Sequence, residues 1–593
     1  MRAIGVIVSQ RSWRRARHSG SWSDSRSIDL CAMSSELSLE GSIAQSPYAG
    51  RSAQMFPRLS PVQIVRLTSH GRKIATHHGQ VLAEPGERIP MYVVLNGSIE
   101  IVQPTLAGET LIVVHSQGSF SGDVGTLRGI SSVVRMRVRE AGEVLVIDNA
   151  ALRSIVQTDP QLSELFMRAF ILRRVALMTA GSSDVVLLGS TRSAGTLRLQ
   201  QFFTRNSYPY VNLDIDSDAS VRDLLERFHV GVEDFPVLVC HGSVVLKNPS
   251  NEEVAANLGM NQQIDDDRVR DVIVVGAGPA GLAAGVYAAS EGLDVMVLET
   301  GTPGGQAGSS SKIENYLGFP TGISGLALAA RALIQAQKFG AEIRTAYSAL
   351  RLNCDRRPYA IEFANGHAAH ARTLIIATGA EYRQLSFKNA AGFMGMGIYY
   401  AATSTEARRC GTGEVIVVGG GNSAGQAAVY LSGTCRMVHL LVRAAGLADT
   451  MSQYLIRRIA ETPNITLHVN TEITALQGEE QLRQVTWKTA GLSPETHDIG
   501  HVFLMMGALP CTGWLNACIA LNDKGFIRTG SDLREADLAS SRWLSHRRPE
   551  FFETSIPGIF SVGDVRCGSI KRVAAAVGEG SACIQQVHRV LHE

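Results

Sequence analysis

Two glycine-rich segments each follow a run of Val and Ile residues and precede an alanine-rich stretch. They are residues 276–281, Gly-Ala-Gly-Pro-Ala-Gly, and residues 419–424, Gly-Gly-Gly-Asn-Ser-Ala. A buried strand that turns at glycine into a helix presents free backbone N–H groups to the pyrophosphate of a dinucleotide. Both segments have this strand–turn–helix context, so the sequence predicts two dinucleotide-binding units. The residues predicted to bind are Gly276, Gly278, Pro279, Ala280 and Gly281 in the first unit and Gly419, Gly421, Asn422, Ser423 and Ala424 in the second.

The residue at the end of the second strand distinguishes the two predicted sites. Glu299 lies 18 positions after Gly281, close to the offset of about 20 at which a carboxylate accepts hydrogen bonds from ribose hydroxyls. In the second unit this offset falls on Val442, which Arg443 follows. An arginine suits a 2′-phosphate, and a solvated arginine is the alternative interpretation. We therefore expect FAD or NAD at the first unit and NADPH, in preference to NADH, at the second.

Residues 270–593 carry further short motifs that accompany the glycine loops. With these motifs the segment resembles low-molecular-weight thioredoxin reductase along its whole length. The resemblance implies an FAD domain, 268–387 and 503–593, into which an NADP domain, 388–502, is inserted. The motifs are Gly-Gly-Gln at 304–306, Glu-Asn-Tyr at 314–316 before Gly-Phe-Pro at 318–320, Ile-Ile-Ala-Thr-Gly-Ala at 375–380 and Gly-Asp-Val at 563–565.

The resemblance also implies roles for single residues around FAD. Gln306 and Asn315 correspond to flavin contacts, and Asp564 corresponds to the aspartate that holds the ribityl chain. The helix that begins near Arg572 and Val573 points its N-terminus at the pyrimidine edge of the flavin. That arrangement is physically reasonable because reduced flavin is negatively charged at this edge.

The chain departs from the family at the redox-active Cys-x-x-Cys of the NADP domain. The two cysteine positions fall on Ala401 and Ser404, which cannot form thiolates, so the internal dithiol relay is absent. Cys410 follows without an apparent partner, and Cys567 follows the Gly-Asp-Val motif. Ordinary structural thiols are expected at both positions, with approach of Cys567 to the flavin as the alternative.

Residues 56–180 predict a small β-barrel or jelly roll followed by a helix. Through Gly86-Glu87, the stretch 95–100 and Gly122-Asp123 they resemble a cyclic nucleotide-binding domain of the bacterial regulator type. The resemblance implies that Asp123 binds a ribose hydroxyl, but the family's phosphate-binding arginine falls near Ser132. Arg128 and Arg135 are off register, so we expect a structural or differently tuned domain rather than tight binding. The predicted strands are 81–82, 91–94, 99–102, 111–114, 135–138 and 144–147.

Residues 183–262 predict a small α/β domain of the order βαβαββ. The order resembles a glutaredoxin- or thioredoxin-type domain, in which Phe235-Pro236 would supply the cis-proline. The Cys-x-x-Cys of that family would lie at 190–193, which reads Ser-Thr-Arg-Ser, so this domain cannot cycle a disulfide. The predicted elements are strand 184–188, helix 194–203, strand 210–214, helix 220–228 and a hairpin of 236–240 with 243–246 that turns at 241–242.

Composition restricts the class of protein. The 593 residues imply three or four domains, and 45% hydrophobic with 19% charged residues indicates a globular chain. A net charge of +2 gives no electrostatic basis for a nucleic-acid partner. The sequence contains no run of 18 apolar residues, so no membrane span is predicted. Nine cysteines occur without any Cys-x-x-Cys, and the closest two, Cys511 and Cys518, are seven positions apart. This spacing argues against a zinc ribbon, a disulfide scaffold or a local dithiol. A location in the reducing cytoplasm is therefore expected.

The first 54 residues differ from the rest in being rich in Arg and Ser and poor in acids. A transit peptide has such a composition, but a disordered tail, or sequence upstream of a start at Met33 or Met55, is the preferred interpretation.

The three segments in this order resemble a bacterial fusion of a cyclic nucleotide-binding head with a thioredoxin-reductase-like flavoprotein. The expected function is an NADPH-dependent FAD oxidoreductase, a homodimer, that passes electrons to a small-molecule or protein acceptor. A quinone, ferredoxin, oxygen and an external disulfide such as that of thioredoxin remain open as acceptors. A similar cysteine-free layout occurs in thioredoxin-reductase-like ferredoxin–NADP reductases. The alternative is a nucleotide- or redox-sensing regulatory flavoprotein, which would reduce its flavin but turn over poorly with every acceptor.

Overall fold

The structure is a computed structural model that describes residues 52–593 with short gaps. The predicted tail up to residue 51, the predicted helix 220–228 and the turn 241–242 lie outside the described residues. Among the helices of the described part, none combines the length and apolar composition that a membrane crossing requires. The gaps are 106–107, 130, 180–182, 184, 191–192, 216–233, 241–243, 262–263, 311, 383–386, 388, 394–395, 401, 403, 480, 507, 516, 541–542 and 544–546.

The head domain is an antiparallel five-stranded sheet closed by helices, with Phe120, Phe166 and Phe170 in its buried core. The long helix predicted after the strands is confirmed as Pro160–Thr179. The strands are Arg72–Thr76, Val81–Ala83, Met91–Thr105, Gly108–His115 and Arg135–Ile147, and the other helices are Ser52–Met55, Pro61–Thr68, Val124–Arg128 and Asn149–Thr158.

Two strand boundaries predicted in the head domain are wrong. The predicted pair 91–94 and 99–102 forms the single strand Met91–Thr105, and 135–138 with 144–147 forms Arg135–Ile147. Gly97 has a φ of 78°, and a Cβ there would lie 2.6 Å from the Glu140 carbonyl oxygen. The register shifts around Gly97 show that this glycine makes a bulge inside a continuous strand instead of ending it.

The middle domain contains a four-stranded mixed sheet of strand order 211–213, 185–188, 237–240, 244–247. The first two strands pair in parallel, and the last two form the predicted antiparallel hairpin. The Phe235–Pro236 peptide is cis, and a Cβ on Gly195 would lie 2.8 Å from Pro236 Cδ. The elements are Val185–Leu188, Ala194–Arg205, Val211–Leu213, Val237–Cys240, Val244–Lys247 and Asn251–Asn257.

A larger sheet is centred on the buried strand Val269–Val275, which confirms the strand predicted before the first glycine loop. It pairs in parallel with Val295–Glu299 and Ala368–Ile376, the latter of which also pairs with Ile559–Ser561 near the C-terminus. The remaining elements of this layer are strands Glu342–Thr345, Ala349–Asn353 and Tyr359–Phe363 and helices Pro279–Ser290, Gly325–Phe339, Glu535–Ser540 and Val573–Leu591.

A second parallel sheet is formed by residues that lie, in the sequence, between the two parts of the first sheet. Its central strand, Glu414–Val418, is the strand predicted before the second glycine loop. Beside it, three antiparallel strands form a separate sheet. Ala380–Tyr382 pairs with Ala508–Pro510 where the chain enters and leaves this region. The elements are strands Ile398–Tyr399, Met437–Leu441, Ile465–His468, Thr471–Gly478, Leu482–Thr489, Glu495–His497 and Val502–Leu504 and helices Ser404–Cys410, Asn422–Ser432 and Gln453–Glu461.

Cys354 and Cys518 form a disulfide across 164 residues of sequence. The cysteine spacing argues against a disulfide scaffold and a local dithiol, and it does not indicate this single long-range bridge. Spacing along the chain did not reveal it, because the segment carrying Cys518 returns to the larger sheet beside Leu352, whose carbonyl oxygen lies 3.5 Å from the Cys518 sulfur.

Candidate active site

The first glycine loop can be built only from residues without a Cβ at two positions. Gly276 has a φ of 105°, and a Cβ there would lie 2.3 Å from the Ala377 carbonyl oxygen. A Cβ on Gly281 would lie 1.8 Å from the Gly276 carbonyl oxygen. Helix Pro279–Ser290 begins after Gly278 with no side chain capping it. Its first turn therefore offers backbone N–H groups to an anion, with the helix dipole behind them.

Three other loops close on this one. The Gly304 backbone N–H donates to the Ala277 carbonyl oxygen at 2.8 Å. A Cβ on Gly305 would lie 3.0 Å from Gly278 Cα, and one on Gly563 would lie 2.9 Å from Ala280 Cβ. The motifs at 276–281, 304–306, 375–380 and 563–565, distant in sequence, thus meet at one edge of the larger sheet.

Glu299 ends its strand with the carboxylate turned toward the first loop. Its oxygens accept hydrogen bonds from the backbone N–H groups of Ala277, at 2.8 Å, and Gly301, at 2.9 Å. Burial raises the pKa of Glu299, and these two hydrogen bonds oppose the shift. Sequence reasoning missed Arg205 of the middle domain, which donates to Thr302 Oγ1 at 3.3 Å and attracts the Glu299 carboxylate.

The Gly-Asp-Val turn is held by an ion pair that sequence reasoning also missed. The Glu579 carboxylate accepts from the Gly563 backbone N–H at 2.7 Å and from the Arg566 guanidinium at 2.6 Å. Asp564 lies on this turn, and burial raises its pKa. Its carboxylate accepts no hydrogen bond from the residues that the structure describes. It is therefore available to a ligand hydroxyl.

The other residues expected around FAD differ in burial and in hydrogen bonding. Gln306 is half-buried and donates through Nε2 to the Ala380 carbonyl oxygen. Asn315 is exposed and has no side-chain hydrogen bond to the described residues. Helix Val573–Leu591 begins after the exposed Arg572, and no side chain caps it. Val573 is half-buried at the first helical position.

The second glycine loop repeats the construction of the first. A Cβ on Gly419, whose φ is 144°, would lie 2.3 Å from the Met505 carbonyl oxygen. Gly421 precedes helix Asn422–Ser432, which has no side-chain cap, and Ala424 is buried beneath it. Asn422 Oδ1 accepts from the Ser452 backbone N–H at 2.7 Å, so its side chain braces a neighbouring loop. Ser423, the remaining residue predicted to bind at this loop, is exposed.

Val442 and Arg443 follow strand Met437–Leu441, beside this second loop. The Val442 side chain is buried, and a Cβ on Gly420 would lie 3.2 Å from its Cγ1. Arg443 is exposed and forms no ion pair with the described residues. Its guanidinium is therefore uncommitted.

The expectation that Cys410 has no partner is wrong. Its thiol donates to the Glu406 carbonyl oxygen at 3.2 Å and lies beside the Cys435 thiol, and both cysteines are buried. The interaction between the two thiols lowers the pKa of Cys435 to about 7 and raises the pKa of Cys410. Ala401 lies outside the described residues, and Ser404 begins helix Ser404–Cys410. The Cys567 sulfur accepts from Asn522 Nδ2 at 3.3 Å.

In the head domain, Asp123, the candidate ribose ligand, already forms hydrogen bonds and an ion pair within the protein. Asp123 caps helix Val124–Arg128 through the Gly125 backbone N–H at 2.7 Å and pairs with Arg174 at 2.6 Å. Ser132, near the expected phosphate position, accepts from and donates to the Val134 backbone.

The cavity beneath this helix is small and mainly apolar, with a volume of about 70 Å³. Arg173 lines it but donates to the Met55 and Gly122 carbonyl oxygens. Arg135, the off-register alternative, pairs with Glu84 and Glu109.

Comparison with known proteins gives two family matches and many relatives. Residues 270–580 match the pyridine nucleotide-disulphide oxidoreductase family, and residues 73–159 match the cyclic nucleotide-binding domain. The thioredoxin reductase of Listeria monocytogenes is 31% identical over 333 residues, 55% of this chain and 96% of the relative. That of Bacillus subtilis is 30% identical over 332 residues, 56% of this chain and 97% of the relative. The solved structure of T. acidophilum thioredoxin reductase has a TM-score of 0.49 and 26% identity and covers 55% of this chain and 100% of its own.

The chain therefore belongs to the pyridine nucleotide-disulphide oxidoreductase family. Within that family it is a thioredoxin-reductase-like, FAD-dependent oxidoreductase that uses NADPH, preceded by a cyclic nucleotide-binding domain.

Proposed function

We propose that the first glycine loop binds the pyrophosphate of FAD and that the second binds NADPH. The observation that carries this assignment is the convergence of four loops at glycines that a Cβ would block, next to the uncommitted Asp564 carboxylate. FAD held there would supply a hydride acceptor for NADPH and an electron donor for the final acceptor. The chain's own residues position the two ligands so that the hydride donor and acceptor can approach.

In this proposal each part of the first site has one task. The N-terminus of helix Pro279–Ser290 neutralises the pyrophosphate, and Glu299 accepts from the adenosine ribose while it holds Ala277. Asp564 accepts from the ribityl hydroxyls. The uncapped start of helix Val573–Leu591, with Arg572 beside it, stabilises negative charge on the reduced flavin. Gln306 and Asn315 contact the flavin ring.

We place the domain boundaries as the sequence analysis does, with an FAD domain at 268–387 and 503–593 and an NADP domain at 388–502. The paired strands Ala380–Tyr382 and Ala508–Pro510 support a two-stranded connection between them. An ion pair of 2.9 Å between Glu314 and Arg458 joins the two domains. We further propose that the protein is a cytoplasmic homodimer.

Arg443→Glu is expected to shift the preference from NADPH toward NADH. The change removes a charge-assisted contact to the 2′-phosphate and adds repulsion, which costs about 1.5–3 kcal/mol, or roughly tenfold to a hundredfold. The measurement is the ratio of kcat/KM for NADPH to that for NADH.

Arg436→Glu is the matched control for Arg443→Glu, because it reverses an exposed arginine just before the same strand, at the opposite end from Arg443. It should leave the ratio unchanged. An unchanged ratio in Arg443→Glu itself would reduce Arg443 to a solvated surface residue.

The middle domain is proposed to be a thioredoxin-like module without redox cysteines. The mixed four-stranded sheet supports this, as does the contact of Pro236 with Gly195 at the start of helix Ala194–Arg205. Ser193, at the position before that helix, has no side-chain capping hydrogen bond. Such a module can dock a partner or a thiol-bearing molecule but cannot itself exchange a disulfide.

The head domain is expected to show no saturable binding of cyclic AMP or cyclic GMP in the micromolar range. Asp123 is paired with Arg174, and the guanidinium of Arg173, which lines the cavity, already donates to two backbone carbonyl oxygens. Isothermal titration of the FAD-loaded full-length protein measures this directly. Micromolar binding that Asp123→Asn abolishes, while Asp148→Asn at the next helix N-cap leaves it intact, would contradict the expectation.

The acceptor is proposed to be a small molecule or a protein other than free thioredoxin. A screen with NADPH against a quinone, a ferredoxin, oxygen and thioredoxin, followed at the flavin absorbance, distinguishes these. Fast steady turnover with one acceptor supports the enzyme. Flavin reduction with poor turnover for all of them favours a regulatory flavoprotein.

A further inference from the structure

A polar cavity of about 220 Å³ lies between the head domain and the larger sheet, away from the dinucleotide loops. The head contributes Leu127, Gly129 and Arg153, and Met260 comes from the end of the middle domain. The other lining residues come from the starts of the strands of the larger sheet and from the end of helix Gly325–Phe339. They are Arg268, Arg270, Asp294, Gln337, Gly340, Ala341, Glu342, Ile343 and Arg344.

The charges of the lining do not balance. Four arginines face two carboxylates, Asp294 and Glu342, which leaves two positive charges uncompensated. Asp294 already pairs with Arg268 and Arg270, each at 2.9 Å, and Glu342 pairs with Arg270 and Arg344.

The titratable groups just outside the lining do not change this balance. Arg88 and Asp265, which also act on this cluster, offset one another. Arg153 from the head has no ion pair with any residue that the structure describes.

Two deeply buried side chains at the cavity each have one polar atom without a hydrogen bond to the described residues. Arg344, which pairs with Glu342 through its terminal nitrogen, is 4% exposed and has an unpaired Nε, while Gln337 is 7% exposed and has an unpaired Oε1. Burial, followed by repulsion from Arg270, lowers the pKa of Arg344 to about 10. A buried donor and a buried acceptor left unpaired are costly, at about 1–3 kcal/mol each. A ligand that supplies both an anionic oxygen and a hydroxyl would satisfy the two at once.

We propose that this cavity binds a small phosphate monoester that carries a hydroxyl group, such as a sugar phosphate. A phosphate monoester carries about −1.5 to −2 charge at neutral pH, which matches the two uncompensated arginines. Its three terminal oxygens suit guanidinium groups that arrive from different elements, as Arg153 does from the head and Arg344 from the sheet. Gln337 Oε1 accepts from the hydroxyl. The volume is below the roughly 300–1,000 Å³ of drug-sized pockets, which excludes a dinucleotide.

Such a ligand would join two parts of the chain that already touch. Asn261 forms two hydrogen bonds with the Thr345 backbone, at 2.6 and 3.0 Å, and Gln157 of the head donates to the Lys338 carbonyl oxygen at 3.4 Å. The phosphate binds across this contact, between Arg153 and Arg344. Binding therefore stabilises the head against the flavoprotein part and raises the unfolding temperature.

The test is calorimetric titration of the FAD-loaded full-length protein with ribose 5-phosphate, inorganic phosphate, ribose and succinate. We expect saturable binding of ribose 5-phosphate, weaker binding of phosphate and none of ribose or succinate. Arg153→Gln should weaken ribose 5-phosphate binding about tenfold or more, with FAD content and NADPH oxidation unchanged. Arg168→Gln, an exposed arginine of the head outside the cavity, is the matched control and should bind as the wild type does.

A second variant distinguishes the contribution of the hydroxyl group to the affinity from that of the phosphate. Gln337→Leu, with FAD content as the check on folding, should reduce the affinity for ribose 5-phosphate to that for inorganic phosphate. Three results would overturn the proposal: no saturable binding of ribose 5-phosphate, binding that Arg153→Gln leaves unchanged, or binding that saturating NADP⁺ displaces fully in both wild type and Arg153→Gln. The last would assign the phosphate to the dinucleotide site.

Discussion

Glu299→Arg is expected to abolish FAD binding. The variant removes the two acceptor oxygens that hold the backbone N–H groups of Ala277 and Gly301 and, in the proposed site, the ribose. It also places a second guanidinium near Arg205, whose charge now attracts Glu299. Unsatisfied buried donors cost about 1–3 kcal/mol each, so an affinity loss of at least about a hundredfold is expected.

The measurement for Glu299→Arg is the ratio of flavin to protein after gel filtration, with added FAD titrated by fluorescence. Glu299→Gln keeps one acceptor oxygen and the shape of the side chain, so it should retain FAD with reduced affinity. Glu472→Arg reverses an exposed glutamate on strand Thr471–Gly478 and should retain FAD fully. Stoichiometric FAD with unchanged affinity in Glu299→Arg would remove the first glycine unit from the FAD site.

The purified protein is expected to reduce free thioredoxin at a negligible rate. By the resemblance to thioredoxin reductase, the positions of the two cysteines that relay electrons fall on Ala401 and Ser404 in this chain. The thiol pair of Cys410 and Cys435 is buried, with 5% and 3% of each residue exposed, so an external disulfide cannot reach it. Thiol exchange requires attack by an accessible thiolate. The rate should therefore lie several orders of magnitude below that of the flavin half-reaction.

The assay couples NADPH oxidation to the appearance of thioredoxin thiols. Ala401→Cys combined with Ser404→Cys should create partial activity if the domains can rotate, which the ion pair of Glu314 and Arg458 opposes. Either single variant is the control and should stay inactive. Replacement of every cysteine should preserve reduction of the flavin by NADPH, because hydride transfer needs only positioned rings. Robust wild-type activity would contradict the expected result. The electrons would then have to leave the flavin through Cys567, through Cys410 with Cys435, or through a partner's disulfide placed at the flavin.

The features predictable from sequence are those set by local geometry. The glycine loops are of this kind, since Gly276 has a positive φ and a Cβ on Gly281 would collide with the carbonyl oxygen of Gly276 in the same turn. Glu299 at a fixed offset also follows from the repeat of strand, turn and helix, and its hydrogen bond to Ala277 agrees with the expected position.

The features that sequence reasoning missed depend on contacts between distant residues. The pairing of Asp123 with Arg174, 51 positions later, removes the candidate ribose ligand of the head. Cys410 gains its partner only because the end of one helix packs against the turn after another. Arg205 and Glu579, which contact the loops of the first site, belong to elements whose sequences carry no motif. Their roles become visible only from their positions in the fold.

The central claim is that NADPH delivers a hydride to FAD held by the first glycine loop. Anaerobic mixing of the FAD-loaded protein with one equivalent of NADPH, followed at the visible absorbance of the flavin, tests it most directly. The account predicts rapid and complete bleaching with NADPH, slower bleaching with NADH, and recovery of the absorbance when an acceptor is added. A protein that binds FAD stoichiometrically but whose flavin stays oxidised with NADPH would contradict it.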